Sequence, residues 1–175
     1  MAHDGLTIET ERLLLRRFEE QDIEPLLAMD LDPRVRRYLG NDLWDPDVLR
    51  ERAERAVRTP RDWGPLGFFA VTAKPDPAFL GWVCLKDLDE TPEMEIGYRY
   101  AHGAWGRGYA TEAAQAVLAH GFGPGGLERI VAVTHPENLA SQRVIDKCGF
   151  VYERIARYYG EDVRYYALTR DAYLP

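Results

Sequence analysis

A glycine-punctuated segment, Trp105-Gly106-Arg107-Gly108-Tyr109-Ala110-Thr111-Glu112, sits where the periodicity of the chain changes, and it limits what the rest can fold into. Before it, Met94, Ile96 and Tyr98 alternate with Glu95, Gly97 and Arg99, the period of a strand whose two sets of side chains face opposite sides of a sheet. After it, Ala110, Ala113, Ala114, Val117 and Leu118 recur at helical spacing until Gly121 to Pro124 stops the run. A strand that passes through glycines directly into a helix leaves unpaired N–H groups at the helix start, where the helix dipole adds partial positive charge. Gly106 and Gly108 let a ligand approach the backbone closely, so the segment predicts an anion site suited to a pyrophosphate. A plain glycine turn into a helix is the alternative. Two known phosphate loops are excluded. No Gly-Lys-Ser/Thr follows the glycines, and the third glycine of a dinucleotide fingerprint would fall at position 111, which is Thr.

The other elements can be read around this junction. Leu13–Phe18 reads as a first strand, and Asp22 opens a short helix with Pro25 in its first turn. Asp45-Pro46 is a second helix start, followed by an apolar stripe of Val48, Leu49, Ala53, Ala56 and Val57. Strands are expected over Gly67–Ala73, Phe79–Leu88 and Glu93–Tyr100, separated by proline-containing turns. Arg129–Thr134 is a further strand and Asn138–Lys147 a further helix. Gly149–Ala156 and Val163–Thr169 form a terminal hairpin, whose tyrosines are candidates to wall a binding site. The order β-α-α-β-β-β-α-β-α-β-β describes an α/β (α+β) fold with a mixed, mostly antiparallel sheet flanked by helices, and residues 1–175 are read as one domain.

Charge and composition remove several function classes. The formal net charge is −7 and no basic stripe is visible, which argues against nucleic acid and makes cationic partners such as amines the better match. The arginines at 34–37 and 50–58 alternate with acids, as on a solvated helical face. No apolar run approaches the roughly 20 residues of a membrane span, and Met1–Gly5 has no signal-peptide pattern, so a cytoplasmic location without membrane partners is expected. His3, His102, His120 and His135 lack metal-ligand spacing, so no metal is expected; Cys84 and Cys148 suggest neither a disulfide framework nor a metal knuckle, and Cys148 reads as a small packed hydrophobe.

Five segments in register carry a resemblance. The loop Trp105–Ala113 resembles the acetyl-coenzyme A pyrophosphate loop of the GNAT acetyltransferase superfamily, most closely the branch of ribosomal-protein N-terminal (alanine/serine) acetyltransferases. Thr10-Glu11-Arg12-Leu13-Leu14-Leu15-Arg16, Leu80-Gly81-Trp82, Glu95-Ile96-Gly97-Tyr98, and Asn138-Leu139-Ala140-Ser141 running to Lys147-Cys148-Gly149-Phe150 match the same branch in order. The resemblance implies a seven-stranded GNAT sheet with a splay between its two central strands and about four helices. It implies acetyl-coenzyme A as co-substrate. The backbone of Tyr98, Arg99 and Tyr100 would pair with the pantetheine arm, and the amides of Trp105, Gly106, Arg107, Gly108, Tyr109, Ala110 and Thr111 would hold the pyrophosphate. Asn138 and Ser141 would contact the cofactor, and Arg143 or Lys147 its adenosine phosphate; a helix N-cap is the other reading of Asn138.

Two departures from the superfamily pattern bear on catalysis. Trp105 stands where Gln or Arg is common, and Ile145 stands where many relatives carry a tyrosine that protonates the departing thiolate. Ser141, one helical turn before Ile145 on the same face, is therefore the candidate acid, assisted by the modest demand of a thiol with a pKa near 8.5. Glu95 is the candidate general base, with Glu93 on the same strand face as its rival and a solvent-facing role as the bland reading. An α-amine, with a pKa of about 7.7–8.0, suits a weakly placed base better than a lysine near 10.4. The expected activity is direct transfer of acetyl to a primary amine, with a protein or peptide N-terminus as leading acceptor. A small cationic amine (polyamine, antibiotic or metabolite) and a non-catalytic acetyl-coenzyme A sensor are the alternatives, and assembly as a homodimer stays open. If the glycine loop holds the co-substrate, acetyl-coenzyme A raises the melting temperature of the wild type by mass action, and Gly108→Val abolishes that rise while the free protein stays folded. Equal rises in both proteins would contradict the loop assignment.

Overall fold

The computed structural model describes residues 6–40, 45–58 and 66–173. Strands β1 (Ile8–Glu9), β2 (Leu13–Arg16), β3 (Gly67–Ala73), β4 (Phe79–Asp87), β5 (Met94–Tyr100), β6 (Arg129–Thr134), β7 (Val151–Tyr158) and β8 (Glu161–Thr169) form one sheet in the order β1-β2-β3-β4-β5-β6-β8-β7. The helices are α1 (Ile23–Leu31), α2 (Pro46–Arg58), α3 (Tyr109–Phe122), α4 (Leu139–Lys147) and the single turn α5 (Arg170–Tyr173). Every neighbouring pair is antiparallel except β5 and β6, which run parallel and share one register pair, Glu95↔Val131. β4 and β5, by contrast, pair continuously from Asp87↔Met94 to Gly81↔Tyr100. The sheet therefore opens between β5 and β6 beyond Glu95, as the predicted splay requires.

The core explains why the pieces assemble this way. Ala113, Ala114, Val117, Leu118 and Phe122 form the buried face of α3, in one cluster with Leu13 and Leu15 of β2, Val83 and Leu85 of β4 and Ile130 of β6. Burying side chains of this size stabilises by roughly 1.5–3 kcal/mol each before entropy is subtracted. Cys84 is fully buried and Cys148 nearly so, and burial pushes the two thiols up to about 12 and about 11. No described helix is long and apolar enough to cross a membrane.

The structure corrects the expected elements in four places. The sheet has eight strands, not seven, because Ile8–Glu9 pairs with Leu14 and Leu15; two residues are too few to show a period. Among the described residues there are five α-helices rather than about four, the extra one being the single turn α5. The first long strand ends at Arg16, since the Arg17 guanidinium turns to the Phe68 and Leu66 carbonyls and the chain leaves the sheet. Asp22 makes no side-chain cap on α1. It is buried, and its carboxylate accepts two bonds from Arg16, at 2.7 and 3.0 Å, and one from the Glu19 amide. Asp45, by contrast, caps α2 through the Asp47 amide at 2.8 Å. The terminal hairpin closes through Tyr159 (φ 54°) and Gly160 (φ 76°), the two positive angles of a type I′ turn.

Gly81 shows why the Leu-Gly-Trp segment tolerates no side chain. A Cβ there would lie 2.1 Å from the Arg99 carbonyl oxygen and 2.7 Å from the Tyr100 Cα, both rigid backbone atoms. Gly81→Ala is expected to cost at least about 2–3 kcal/mol in denaturant unfolding, the upper part of the overpacking range, and a loss under 0.5 kcal/mol would contradict this close approach.

Candidate functional site

The glycine loop forms one corner of the candidate site. Gly106 (φ 71°) and Gly108 (φ 80°) both adopt left-handed backbone, and Gly108 is the N-cap of α3 with no side-chain cap bond. The first backbone bond into the helix is from the Glu112 amide to the Gly108 carbonyl, 3.0 Å, so the amides of the first turn precede the intrahelical ladder. Trp105 serves the loop as a brace: its indole N–H donates to the Tyr100 carbonyl at 2.8 Å and its ring lies 4.9 Å from that of His102. The exposed Arg107 guanidinium lies over the Tyr109 ring at 5.6 Å.

A second chain segment holds this loop in place. Glu112, in the first turn of α3, accepts from the Thr10 hydroxyl (2.6 Å), the Arg12 amide (2.9 Å) and the Arg12 Nε (2.7 Å). Arg12 also donates to the Arg107 carbonyl at 2.9 Å and lies over the Tyr109 ring at 4.8 Å. The Thr-Glu-Arg-Leu segment, recognisable in the sequence but without an assigned role there, thus clamps the turn between Gly106 and α3. Beside it lies a hollow of about 400 Å³ lined by Arg12, Gly108, Thr111 and Lys147. Lys147 faces this hollow, whereas Arg143 is exposed and lines neither cavity.

The splay opens into a cavity of about 790 Å³, lined by Glu95, Ile96, Gly97, Tyr98 and Arg99 of β5, by Ala132, Val133 and Thr134 of β6, and by Asn138, Ser141 and Ile145 around α4. Tyr98 bridges the gap. Its hydroxyl lies 3.2 Å from the Ser141 carbonyl and 3.0 Å from Ser141 Oγ; with the phenol donating to Oγ, the Ser141 hydroxyl proton stays available. Burial pushes the Tyr98 phenol up, as it does that of Tyr100, so both stay protonated at neutral pH. The Tyr100 hydroxyl has no partner among the described residues. Asn138 does cap α4, accepting from the Ser141 amide at 3.1 Å, which leaves its amide nitrogen available. Ile145 is buried and apolar.

Glu95 is not the solvent-facing strand residue of the bland reading. It is 5% exposed, and its Oε2 accepts from Lys86 Nζ at 2.8 Å and from the Tyr159 hydroxyl. Lys86 also donates to that hydroxyl, and the tip of the hairpin is fixed by the Tyr159 amide on Asp89 Oδ2 at 2.9 Å. Burial lowers the Lys86 ammonium's pKa, but Glu95 and Tyr159 outweigh it and hold Lys86 charged; burial and Glu95 together raise the Tyr159 phenol. Glu95 Oε1 accepts no bond from the described residues. Glu93 is engaged elsewhere, accepting from the Tyr165 hydroxyl at 2.5 Å, and it does not line the cavity. The Arg99 side chain pairs with Asp30 at 2.7 Å and lies 5.3 Å from the Trp82 ring centre. Lys86, Tyr159's bond to Glu95, Asp30 and Trp82 were not assigned from sequence; a buried acid facing a lysine one strand away is a signal only once the β4–β5 register is known.

A half-open mixed sheet, with a glycine loop leading into an uncapped helix start and a buried carboxylate where the strands part, is an arrangement suited to acyl transfer. The chain belongs to the GNAT acetyltransferases: the family described as "Acetyltransferase (GNAT) domain" matches residues 12–151. The chain is 32% identical over 160 residues to an uncharacterized protein, YkkB, of Bacillus subtilis, with 90% of this chain and 92% of that one covered. It is 30% identical over 155 residues to an uncharacterized N-acetyltransferase, p20, of Bacillus licheniformis, with 87% and 86% covered. A GNAT-family acetyltransferase from Bacillus anthracis superposes with a TM-score of 0.80 at 28% identity, covering 95% of this chain and 99% of that one. The same fold recurs at 21% identity in the ribosomal-protein-S5-alanine acetyltransferase of Vibrio fischeri (TM-score 0.75, 97% and 100% covered). It recurs at 20% in a spermidine N-acetyltransferase from Vibrio cholerae in complex with CoA and spermine (TM-score 0.76, 95% and 100% covered).

The Glu112 clamp has a pH signature. Burial opposes ionisation, but the bonds from Thr10 and Arg12 outweigh it and hold the Glu112 carboxyl below its ordinary 4.5. A depressed folded-state value contributes stability that is present above pH about 4.5 and lost as pH falls through the lowered value. Glu112→Gln is expected to destabilise by about 0.5–1 kcal/mol at pH 7, scaled down for the exposed Arg12 partner, with the difference vanishing towards pH 3. A difference that does not change with pH would contradict the clamp.

Proposed function

We propose that this acetyltransferase moves acetyl from acetyl-coenzyme A to the α-amine of a protein or peptide N-terminus by direct attack. The observation that carries the reading is the position of Glu95: buried at the single register pair after which β5 and β6 part, in the wall of a cavity that Tyr98 and Ser141 also line.

The residues present fit the co-substrate. Uncapped amides at the start of α3, two glycines with positive φ, and Lys147 in the adjoining hollow suit a pyrophosphate and a further phosphate. The parted edge of β5 at Tyr98 and Arg99 has backbone free to pair with an extended amide-bearing arm, and Asn138 lines the same cavity. Tyr100 is the weakest part of that edge, because its carbonyl already accepts from Trp105 and its strand partner is Gly81. When bound, acetyl-coenzyme A supplies the acetyl thioester.

The protein's own groups then divide the work. Glu95 receives the proton of the incoming ammonium, directly or through a water, while Lys86 and Tyr159 fix its other oxygen and so its orientation. Ser141, oriented by Tyr98, donates a hydrogen bond on the thiolate side, where Ile145 cannot. Most of the rate comes from holding amine and thioester in attack geometry. An α-amine near pKa 8 asks little of such a base, whereas a lysine at neutral pH costs about 3–4 kcal/mol more to deprotonate.

Glu95→Gln is expected to lower kcat by roughly 10²-fold or more with little change in coenzyme A affinity, while Glu93→Gln stays within a few-fold of wild type. Steady-state kinetics on N-terminal peptides decides this; greater damage from the Glu93 change would overturn the choice of base.

A further inference from the structure

The charge of the cavity differs from the charge of the molecule. The chain as a whole is acidic, at −7, yet the described lining of the cavity carries Arg17, Arg52, Arg55, Lys86 and Arg99 against only Asp30, Glu95 and Glu161. Two of those carboxylates are already matched, Asp30 by Arg99 and Glu95 by Lys86.

Arg52 and Arg55 are different again. They lie one turn apart on α2, flanking Ala53, and both line the cavity. Neither has a hydrogen bond or ion pair among the described residues. The acids of the same helix do not neutralise them: Glu54 pairs with Arg58 at 3.1 Å, and neither Glu51 nor Glu54 lines the cavity. From sequence this stretch looks like an ordinary solvated face of alternating charge. The fold places two of its arginines in the cavity lining that also includes Lys86, Glu95 and Trp82, a lining that the glycine loop and Lys147 do not join.

We infer that Arg52 and Arg55 select acceptors that carry an anionic side chain close behind the reacting amine, that is, protein N-termini with Asp or Glu in the residues after the first. The inference rests on the N-terminal reading above and deepens it. A guanidinium presents a planar fork of donors that matches a carboxylate, and two such forks along one cavity wall form a built receptor for consecutive acidic residues. The same excess of cations disfavours a polyamine, whose second ammonium would enter a lining already rich in positive charge. The acidic exterior does not compete, because local charge within a cleft sets the potential felt by a ligand inside it.

The test uses the full-length protein with saturating acetyl-coenzyme A and peptides beginning Ser-Glu-Glu, Ser-Ala-Ala and Ser-Lys-Lys, together with free glutamate and spermidine. Wild type is expected to favour Ser-Glu-Glu over Ser-Lys-Lys by tenfold or more in kcat/KM, chiefly through KM, and the preference shrinks as salt is raised. Arg52→Ser/Arg55→Ser is expected to bring the ratio within about threefold, and Arg52→Lys/Arg55→Lys, which keeps the charge, retains most of it. Equal or better use of Ser-Lys-Lys by wild type, or an unchanged ratio in the serine variant, overturns the inference while peptide acetylation itself leaves the N-terminal reading standing. Turnover of free glutamate above Ser-Glu-Glu overturns the peptide as the source of the carboxylate. Turnover of spermidine with none of any peptide overturns both readings.

Discussion

Among the described strands every neighbouring pair shares two or more register pairs except one, and the site depends on that place. β5 and β6 meet in parallel at Glu95↔Val131 and then part. Parallel strands need a crossover, and here the crossover is the glycine loop and α3. The same connection that makes the pair parallel therefore delivers an uncapped helix start beside the opening it creates. β5 remains rigid because its other edge is fully paired with β4, from Asp87↔Met94 to Gly81↔Tyr100. An opening with one stiff wall is a cavity; with two loose walls it would collapse.

Two long-range clamps hold the parts that flank the opening. On the loop side, Thr10 and Arg12 reach across about a hundred residues of sequence to Glu112 and the Arg107 carbonyl. On the other side, Tyr159 at the hairpin tip ties Lys86, Glu95 and Asp89 into one cluster. Each clamp satisfies a partly or fully buried carboxylate with several donors, which a carboxylate removed from water requires. Charge that would be costly alone becomes a means of positioning.

Much of the fold was legible because it rests on local rules. Turn residues bounded β3 to β5 and alternation marked β5, the Asp45-Pro46 start of α2 held, and the change of period at Tyr109 located the crossover helix. What escaped was of two kinds. Elements too short to show a period, the pair Ile8–Glu9 and the turn α5, carry no sequence signal. Roles set by distant partners were also hidden. Glu95 reads from sequence as a strand residue with an even chance of facing solvent, and only the β4–β5 register and the hairpin bury it against Lys86 and Tyr159. Arg52 and Arg55 read as a solvated face for the same reason: nothing local to α2 says which side of the sheet it covers.

The central claim is that the parted edge of β5 and the glycine loop together form the co-substrate site. Amide hydrogen exchange with and without acetyl-coenzyme A tests it residue by residue, since bound ligand slows exchange where it takes up or shields backbone donors. The account predicts new protection concentrated at the parted end of β5 around Tyr98 and Arg99 and from Trp105 to Thr111, with β3 and β7 unchanged. Protection that avoids both segments, or that appears instead along α2 and the hairpin, would contradict it.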